Sequence, residues 1–220
     1  MRRFDTVLFD LDGTLLYTLP DIHASVNAAL EAFSYPLNTL EDTRAAVGYG
    51  SRWLIRQSLP EGSSPETVDR VLAFYRQYYN EHLVVETVPY PGIEDTLHAL
   101  KAMGVRMGVA TNKFHESAVK MMARFFPDTI EHTEGNIQGR PAKPAPDAAL
   151  AAMEALGGTT ERTLFVGDSD PDARTAANAG MACVLCAWGY RTYGELESCG
   201  PLAVIRRPEE LAMKIEVMLP

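Results

Sequence analysis

Two aspartates lie two residues apart near the start of the chain, directly after a short apolar run. They are Asp10 and Asp12 in the segment DLDGT, and the glycine that follows them lets the backbone turn sharply toward a ligand. Two carboxylates this close repel each other, so both stay ionised only if a divalent metal or a shared proton offsets their charge. Because hard oxygen ligands suit magnesium, the pair predicts a Mg²⁺ site.

A second pair of acids follows another apolar run later in the chain. The run from Thr163 to Val166 leads to Asp168, and Asp172 comes at the start of a helical pattern. If the two runs are neighbouring parallel strands, their carboxyl ends bring all four carboxylates into one crevice, with room for an ion and a phosphoryl group. Taken alone, the second pair also fits a turn residue and a helix cap.

A bound phosphate also needs hydrogen-bond donors, since carboxylates alone would repel it. Thr111 and Asn112 follow a third apolar run, where the hydroxyl and nearby amides can hold a phosphoryl oxygen, although such a pair is also ordinary turn chemistry. Lys143 lies in the loop RPAKPAP (140–146), whose three prolines stiffen the backbone around one lysine. We predict that these three residues bind phosphate.

The apolar runs that carry these residues have the length and composition of buried strands. Helical patterns separate them, which is typical of a Rossmann-like parallel α/β sheet. The predicted strands cover 6–9, 105–110, 163–166, 182–187 and 202–205, and the predicted helices cover 93–103, a segment beginning near His115, 146–156, 172–179 and 208–218.

Between the first and second of these strands, about 90 residues carry helical patterns and no convincing strand, too many for an ordinary crossover. We predict an inserted helical cap over 15–91, and an α/β core made of 1–14 and 92–220. Two connectors, 14–19 and 86–92, join the units, and the prolines and glycine of the second indicate hinges.

The composition bounds the class of protein. The 220 residues are 46% hydrophobic with a formal net charge of −9, so the chain can bury a large core and has no basic field for nucleic acid. No stretch reaches the roughly 18 apolar residues of a membrane-spanning helix, and no export signal is visible. The odd cysteine count (Cys183, Cys186 and Cys199) suits a reducing compartment. We expect a cytoplasmic protein without nucleic-acid or membrane partners, of undetermined oligomeric state.

Four segments, in the order LFDLDGTL, ATNK, AKPAPD and VGDSDPDARTAANAG, resemble the ordered motifs of the haloacid dehalogenase (HAD) superfamily. The resemblance covers essentially the whole chain and keeps the family's order and spacing. It implies an HAD-like α/β core with a helical cap, and a Mg²⁺-dependent phosphatase acting on a small phosphorylated molecule.

The resemblance also implies a role for each acidic residue. Asp10 attacks phosphorus and becomes an aspartyl phosphate, while Asp12 protonates the leaving oxygen and then deprotonates the hydrolytic water. Magnesium is held by the Asp10 carboxylate, the Asp12 backbone carbonyl and Asp168. Asp172 is a further metal ligand or hydrogen-bonds one.

The presence of Asp12 and the absence of lysine from the insert limit the reactions expected within this family. Dehalogenation is disfavoured, because dehalogenases lack an aspartate at the position of Asp12 and displacing a halide needs no protonated leaving oxygen. Carbon–phosphorus cleavage is also disfavoured, because it uses a lysine of the insert and the chain has none before Lys101.

Three shorter segments look most like phosphoglycolate phosphatases. They are VGYG (47–50), PYPG (89–92) and TNK (111–113), although Tyr17 stands where those enzymes commonly carry an aspartate. A phosphosugar mutase or a pyrophosphatase of the same superfamily stays open. A catalytically silent binding module is the alternative from another class, but such a chain is expected to lose a chemical residue and none is missing here.

Substrate choice is expected to depend on the insert, which closes over the core and excludes water. Arg52 and Arg56 are candidates to meet an anionic substrate, and His23 is a candidate to face the cleft. For all three, an ordinary solvated position on a helix surface is the alternative.

Overall fold

A six-stranded parallel sheet forms the centre of the protein. The computed structural model describes residues 4–217. Within them the strands are β1 (Thr6–Phe9), β2 (Leu16–Tyr17), β3 (Val88–Pro89), β4 (Arg106–Phe114), β5 (His132–Asn136), β6 (Thr163–Gly167), β7 (Ala182–Cys186) and β8 (Ala203–Ile205). The helices are α1 (Leu19–Ala32), α2 (Leu40–Ala46), α3 (Ser51–Ser58), α4 (Pro65–Glu81), α5 (Ile93–Ala102), α6 (His115–Phe125), α7 (Asp147–Ala155), α8 (Asp170–Ala179), α9 (Tyr193–Ser198) and α10 (Glu209–Val217), with a 3-10 turn at Thr160–Arg162.

Strand β1 lies in the middle of the sheet, whose strand order is β5-β4-β1-β6-β7-β8. It pairs in parallel with β4 and β6, so that its last residue, Phe9, lies opposite Val109 and Val166. Val7 and Phe9 pack into one hydrophobic cluster and Leu8 into another, because successive side chains of a strand point to opposite faces. The predicted α/β fold is confirmed, and the strands that carry the candidate residues end side by side.

Two details of the sheet differ from the prediction. Strand β5 is absent from the prediction, because its sequence HTEGN has no apolar run. Strand β4 continues past its predicted end at Ala110 to Phe114, and its register with β5 is broken between these two residues. Thr111 and Asn112 therefore lie within the irregular end of a strand rather than after it.

Helices α1 to α4 form the insert between β1 and β4 and pack around a separate hydrophobic cluster. Strands β2 and β3 pair antiparallel where the chain enters and leaves the insert, which the sequence analysis does not predict. The buried carboxylate of Asp21, in α1, accepts hydrogen bonds from the backbone N–H groups of residues 85–87 and from the Thr87 hydroxyl. The start of the insert is thereby tied to its exit.

Several predictions about the whole chain are not tested by the fold. The limits of the core and cap, and the hinge role of the connectors, stay predictions. Residues 1–3 and 218–220, which include the predicted end of the last helix at Met218, lie outside the described residues.

None of the described helices is long and apolar enough to cross a membrane. Cys183 and Cys186 are unpaired and buried, as expected of core residues, and the cytoplasmic location stays a prediction.

Candidate active site

Three of the four predicted acids meet at the carboxyl end of the sheet. Asp10 follows β1, and its backbone N–H donates to the Val166 carbonyl of β6 at 2.8 Å, which places it beside the end of that strand. Asp10, Asp168 and Asp172 are all buried, and one carboxylate oxygen from each lies within 4.8 Å of the others. The fold therefore brings Asp10 to two carboxylates that lie about 160 residues later in the chain.

The Asp12 carboxylate lies outside this cluster and belongs to a different set of contacts. Its Oδ1 accepts hydrogen bonds from Lys113 Nζ at 2.7 Å and from Thr18 Oγ1 at 2.6 Å. The Lys113 side chain is only 4% exposed, so this ion pair is shielded from solvent. Sequence reasoning did not assign Lys113 to the site, although it is the third residue of the TNK segment.

Tyr190 joins the Asp168 carboxylate to the contacts of Asp12. Its backbone N–H donates to Asp168 Oδ2 at 2.7 Å, and its hydroxyl lies 3.1 Å from Thr18 Oγ1. The loop that carries Tyr190 follows β7 and contains no chemical motif, so sequence reasoning missed it. Tyr190 therefore fixes Asp168 and Thr18, and through Thr18 it also orients Asp12.

Gly13 leaves room for Asp168 beside the turn after β1. A Cβ on Gly13 would lie 2.3 Å from Asp168 Oδ2, and its φ of +84° lies in the region that favours glycine. The glycine of DLDGT is thus required by the close approach of a carboxylate as well as by the turn.

Lys143 lies between two of the clustered carboxylates. Its Nζ donates to Asp172 Oδ1 at 2.7 Å and lies 2.8 Å from Asp10 Oδ1. Burial alone would lower the pKa of Lys143, but the charges of Asp10 and Asp172 raise it above its ordinary value. The structure therefore holds a permanent cation against Asp10, the predicted nucleophile.

Asn112 holds the backbone around Lys143 and reaches the insert. Its Oδ1 accepts from the Lys143 N–H at 2.7 Å, and its Nδ2 donates to the Lys143 carbonyl at 3.1 Å and to the Gly48 carbonyl at 2.9 Å. Thr111 is buried nearby, with its hydroxyl accepting from the Lys113 N–H at 3.3 Å. The direct binding of phosphate by Asn112 and Thr111 stays a prediction.

Asp172 combines a helix cap with an electrostatic contact. It is the third residue of α8, which begins at Asp170, two residues earlier than predicted. Its Oδ2 accepts from the backbone N–H groups of Asp168 and Ser169 at 3.2 and 3.1 Å, and from the Ser169 hydroxyl at 2.5 Å. The helix-cap alternative is therefore correct for one oxygen, while the other binds Lys143.

The cluster carries more negative than positive charge. Burial, offset in part by Lys143 and reinforced by the charges of Asp172 and Asp12, raises the pKa of Asp10 to about 6. Burial, together with the charges of Asp172 and Asp10, raises the pKa of Asp168 well above its ordinary value. Three buried carboxylates thus face one buried ammonium, and a divalent cation would offset the difference.

One oxygen of Asp10 is held by an ion pair. Lys143 Nζ lies 2.8 Å from Asp10 Oδ1, and this buried oxygen has no further partner among the described residues. The oxygen can therefore still meet a cation or an electrophile, and the carboxylate cluster fits a hard divalent metal.

A cavity of about 50 Å³ lies between the core and the insert. The core lines it with Asp10, Asp12, Thr111 and polar neighbours from the end of β4, and the insert lines it mainly with apolar side chains and the backbone of the VGYG segment. A small phosphorylated molecule in this space would meet both predicted catalytic aspartates.

The structure does not bring the three proposed specificity residues to this cavity. Arg52 pairs with Asp69, both exposed on the surface of the insert, and Arg56 is also exposed. His23 Nδ1 lies 2.9 Å from the hydroxyl of Thr43, within the insert. Their role in specificity stays a prediction. The alternative of a solvated position on a helix surface describes Arg52 and Arg56, whereas His23 is half-buried.

The chain is similar to known proteins over most of its length. The sequence family described as haloacid dehalogenase-like hydrolase matches residues 4–180. A phosphoglycolate phosphatase of Pseudomonas syringae pv. syringae is 35% identical over 97% of this chain and 82% of its own. One from Aquifex aeolicus is 33% identical over 93% of both chains. A predicted phosphoglycolate phosphatase from Haemophilus somnus superposes with a TM-score of 0.87 at 27% identity, over 98% of this chain and 99% of its own.

These matches confirm the resemblance inferred from the four motifs, and with it the expectation of a phosphoric monoester hydrolase. The chain belongs to the haloacid dehalogenase-like hydrolase family.

Proposed function

We propose that this hydrolase cleaves phosphoglycolate, or a closely similar small phosphate monoester, through a phosphorylated Asp10. The observation that carries the proposal is the buried Asp10 carboxylate, which lies 2.8 Å from Lys143 Nζ and lines the cavity together with Asp12. The relatives named phosphoglycolate phosphatase support the substrate.

The reaction proceeds in two steps. First, a carboxylate oxygen of Asp10 attacks phosphorus, the bond from phosphorus to the ester oxygen breaks, and Asp12 transfers its proton to the leaving oxygen. Water then loses a proton to Asp12 and attacks the aspartyl phosphate, which releases inorganic phosphate and restores Asp10. Lys143 offsets charge on the transferring phosphoryl group from its position between Asp10 and Asp172.

A Mg²⁺ ion fits the carboxylate cluster, where Asp10, Asp168 and the Asp12 carbonyl would hold it. When bound, the ion would neutralise developing negative charge on the phosphoryl oxygens. Asp172 would lie next to the ion without binding it directly, because its two oxygens already accept hydrogen bonds from Lys143, Ser169 and the backbone.

Metal binding is expected to stabilise the protein measurably. Adding Mg²⁺ at about 100 times its dissociation constant to chelator-treated protein should raise the Tm by about 5 to 10 °C, because the ion binds the folded chain only. Asp168→Asn should abolish this shift, whereas the matched control Asp128→Asn, at an exposed turn, should keep it. A wild-type Tm that does not change with Mg²⁺, or an unchanged Tm shift in Asp168→Asn, would contradict the proposed metal site.

Contacts between the core and the insert support a closed state that excludes water. The Arg191 guanidinium donates to the carbonyls of Arg44, Ala45 and Val47 at 3.1, 3.3 and 2.7 Å, and Asn112 reaches the Gly48 carbonyl. We propose that residues 15–91 act as a cap that opens for substrate and closes during the reaction.

Phosphate release from a panel of substrates tests the proposed function. With Mg²⁺ present, kcat/KM for phosphoglycolate is expected to exceed that for phosphosugars, nucleotides and pyrophosphate by at least about 10²-fold, the scale on which a closed polar site discriminates. A flat profile would remove the substrate and keep the phosphatase. Sugar-phosphate interconversion without phosphate release would make the protein a mutase, preferred cleavage of pyrophosphate would make it a pyrophosphatase, and no turnover of any substrate would favour a silent binding module.

A further inference from the structure

Lys113 is the one lysine or arginine among the described residues that line the cavity between core and insert. The residue is 7% exposed, and it extends from the irregular end of β4. A buried ammonium is costly unless anions or other strong acceptors surround it. In the proposed reaction Lys143 offsets charge on the phosphoryl group, whereas Lys113 has no role beyond its contact with Asp12.

The contacts of Lys113 leave part of its hydrogen-bonding capacity open. Its ammonium has three N–H donors, and Asp12 Oδ1 is the acceptor of a hydrogen bond from it in the described structure. The ring of Tyr79, from α4 of the insert, lies 4.7 Å from Nζ and interacts with its charge without accepting a conventional hydrogen bond.

Tyr79 supplies an independent sign of a missing ligand. Its side chain lines the same cavity and the residue is 1% exposed, yet its hydroxyl has no hydrogen-bond partner among the described residues. Buried tyrosine hydroxyls usually find a partner. An ammonium and a phenol with unused donors, lining the same cavity and 4.7 Å apart from Nζ to ring centre, favour an anion.

We infer that Lys113 and Tyr79 bind a carboxylate of the substrate, so that the enzyme selects small phosphate esters with a carboxylate one carbon from the ester oxygen. The inference rests on the proposed function. Asp12 must reach the ester oxygen to protonate it, and Lys113 Nζ lies 2.7 Å from Asp12 Oδ1. Because Lys113 lies this close to the acid, a carboxylate joined to that oxygen through one CH₂ group would be within its reach.

A matched pair of substrates isolates this interaction. Phosphoglycolate and 2-hydroxyethyl phosphate differ only in a carboxylate against a CH₂OH group, so the ratio of their kcat/KM values measures recognition of the carboxylate and cancels any effect on Asp12. Lys113→Met is expected to lower this ratio by about 10- to 100-fold, the range for a charge-assisted hydrogen bond. Tyr79→Phe, which keeps the ring, is expected to lower it by about 10-fold.

Tyr78→Phe is the control, because this tyrosine directly precedes Tyr79 in α4, stacks on His82 and lies outside the cavity lining. It should leave the ratio unchanged. An equal loss on both substrates in Lys113→Met, with an unchanged ratio in Tyr79→Phe, would overturn the inference and leave Lys113 acting through Asp12 alone. Equal wild-type kcat/KM values would also overturn it while the phosphatase stands. Absence of turnover on both esters would instead show that the proposed function has failed.

Discussion

Replacing Asp10 with asparagine is expected to lower kcat for phosphate release by about 10⁵-fold or to background, the scale of losing a covalent nucleophile. The amide cannot form the acyl phosphate, while Asp12, Asp168 and Lys143 keep their positions. Initial rates on phosphoglycolate with saturating Mg²⁺ measure the loss, and acid-quenched samples should contain no protein-bound phosphate. Undiminished turnover would exclude Asp10 as the nucleophile.

The same variant should fold at least as well as the wild type when Mg²⁺ is absent. Burial and the charges of Asp172 and Asp12, offset in part by Lys143, raise the pKa of Asp10 from 3.8 to about 6, so the ionised carboxylate destabilises the metal-free fold. This cost is absent below about pH 4, grows between about pH 4 and 6, and stays constant at higher pH. Asparagine removes it, so the metal-free Tm of the variant at pH 7 should equal or exceed that of the wild type, and Asp128→Asn should match the wild type in both assays.

The position of the carboxylate cluster can be predicted from the sequence for a simple physical reason. An uninterrupted apolar run such as Thr6 to Phe9 suits a strand buried on both faces, and parallel strands end at one edge of the sheet. Residues that directly follow such runs, including Asp10 and Asp168, are therefore brought together whatever lies between them. The same argument cannot give side-chain directions within an irregular strand end, so it misses the pairing of Lys113 with Asp12.

Two further parts of the structure cannot be predicted from the local sequence. Strand β5 carries no apolar pattern. Its Gly135 is explained only by the backbone at the start of α6, since a Cβ there would lie 2.5 Å from the Cα of His115. Tyr190 and Arg191 contact residues about 145 to 170 positions earlier in the chain, in Thr18 and the end of α2. Such contacts depend on how the insert sits on the core, which the hydrophobic pattern of neither unit specifies.

Replacing Asp12 with asparagine is expected to lower kcat/KM for phosphoglycolate by about 10²- to 10⁴-fold, the usual contribution of general acid–base catalysis. An alkoxide is a poor leaving group, so cleavage of this ester needs the proton that Asp12 supplies. A p-nitrophenyl ester needs no such proton, because its leaving group is a stable anion. The first step on p-nitrophenyl phosphate should therefore stay close to the wild-type rate in the variant.

The second step tests the other half of the role of Asp12. Water must lose a proton to attack the aspartyl phosphate, so the variant should release about one equivalent of p-nitrophenolate in a rapid burst and then turn over slowly as phosphoenzyme accumulates. Asp10→Asn, which cannot form the intermediate, is the control and should show no burst. Because Asp12 also pairs with buried Lys113, circular dichroism must show that the variant is folded. Equal losses on both esters with no burst, in a folded variant, would mean that Asp12 positions groups for attack by Asp10 and does not transfer protons.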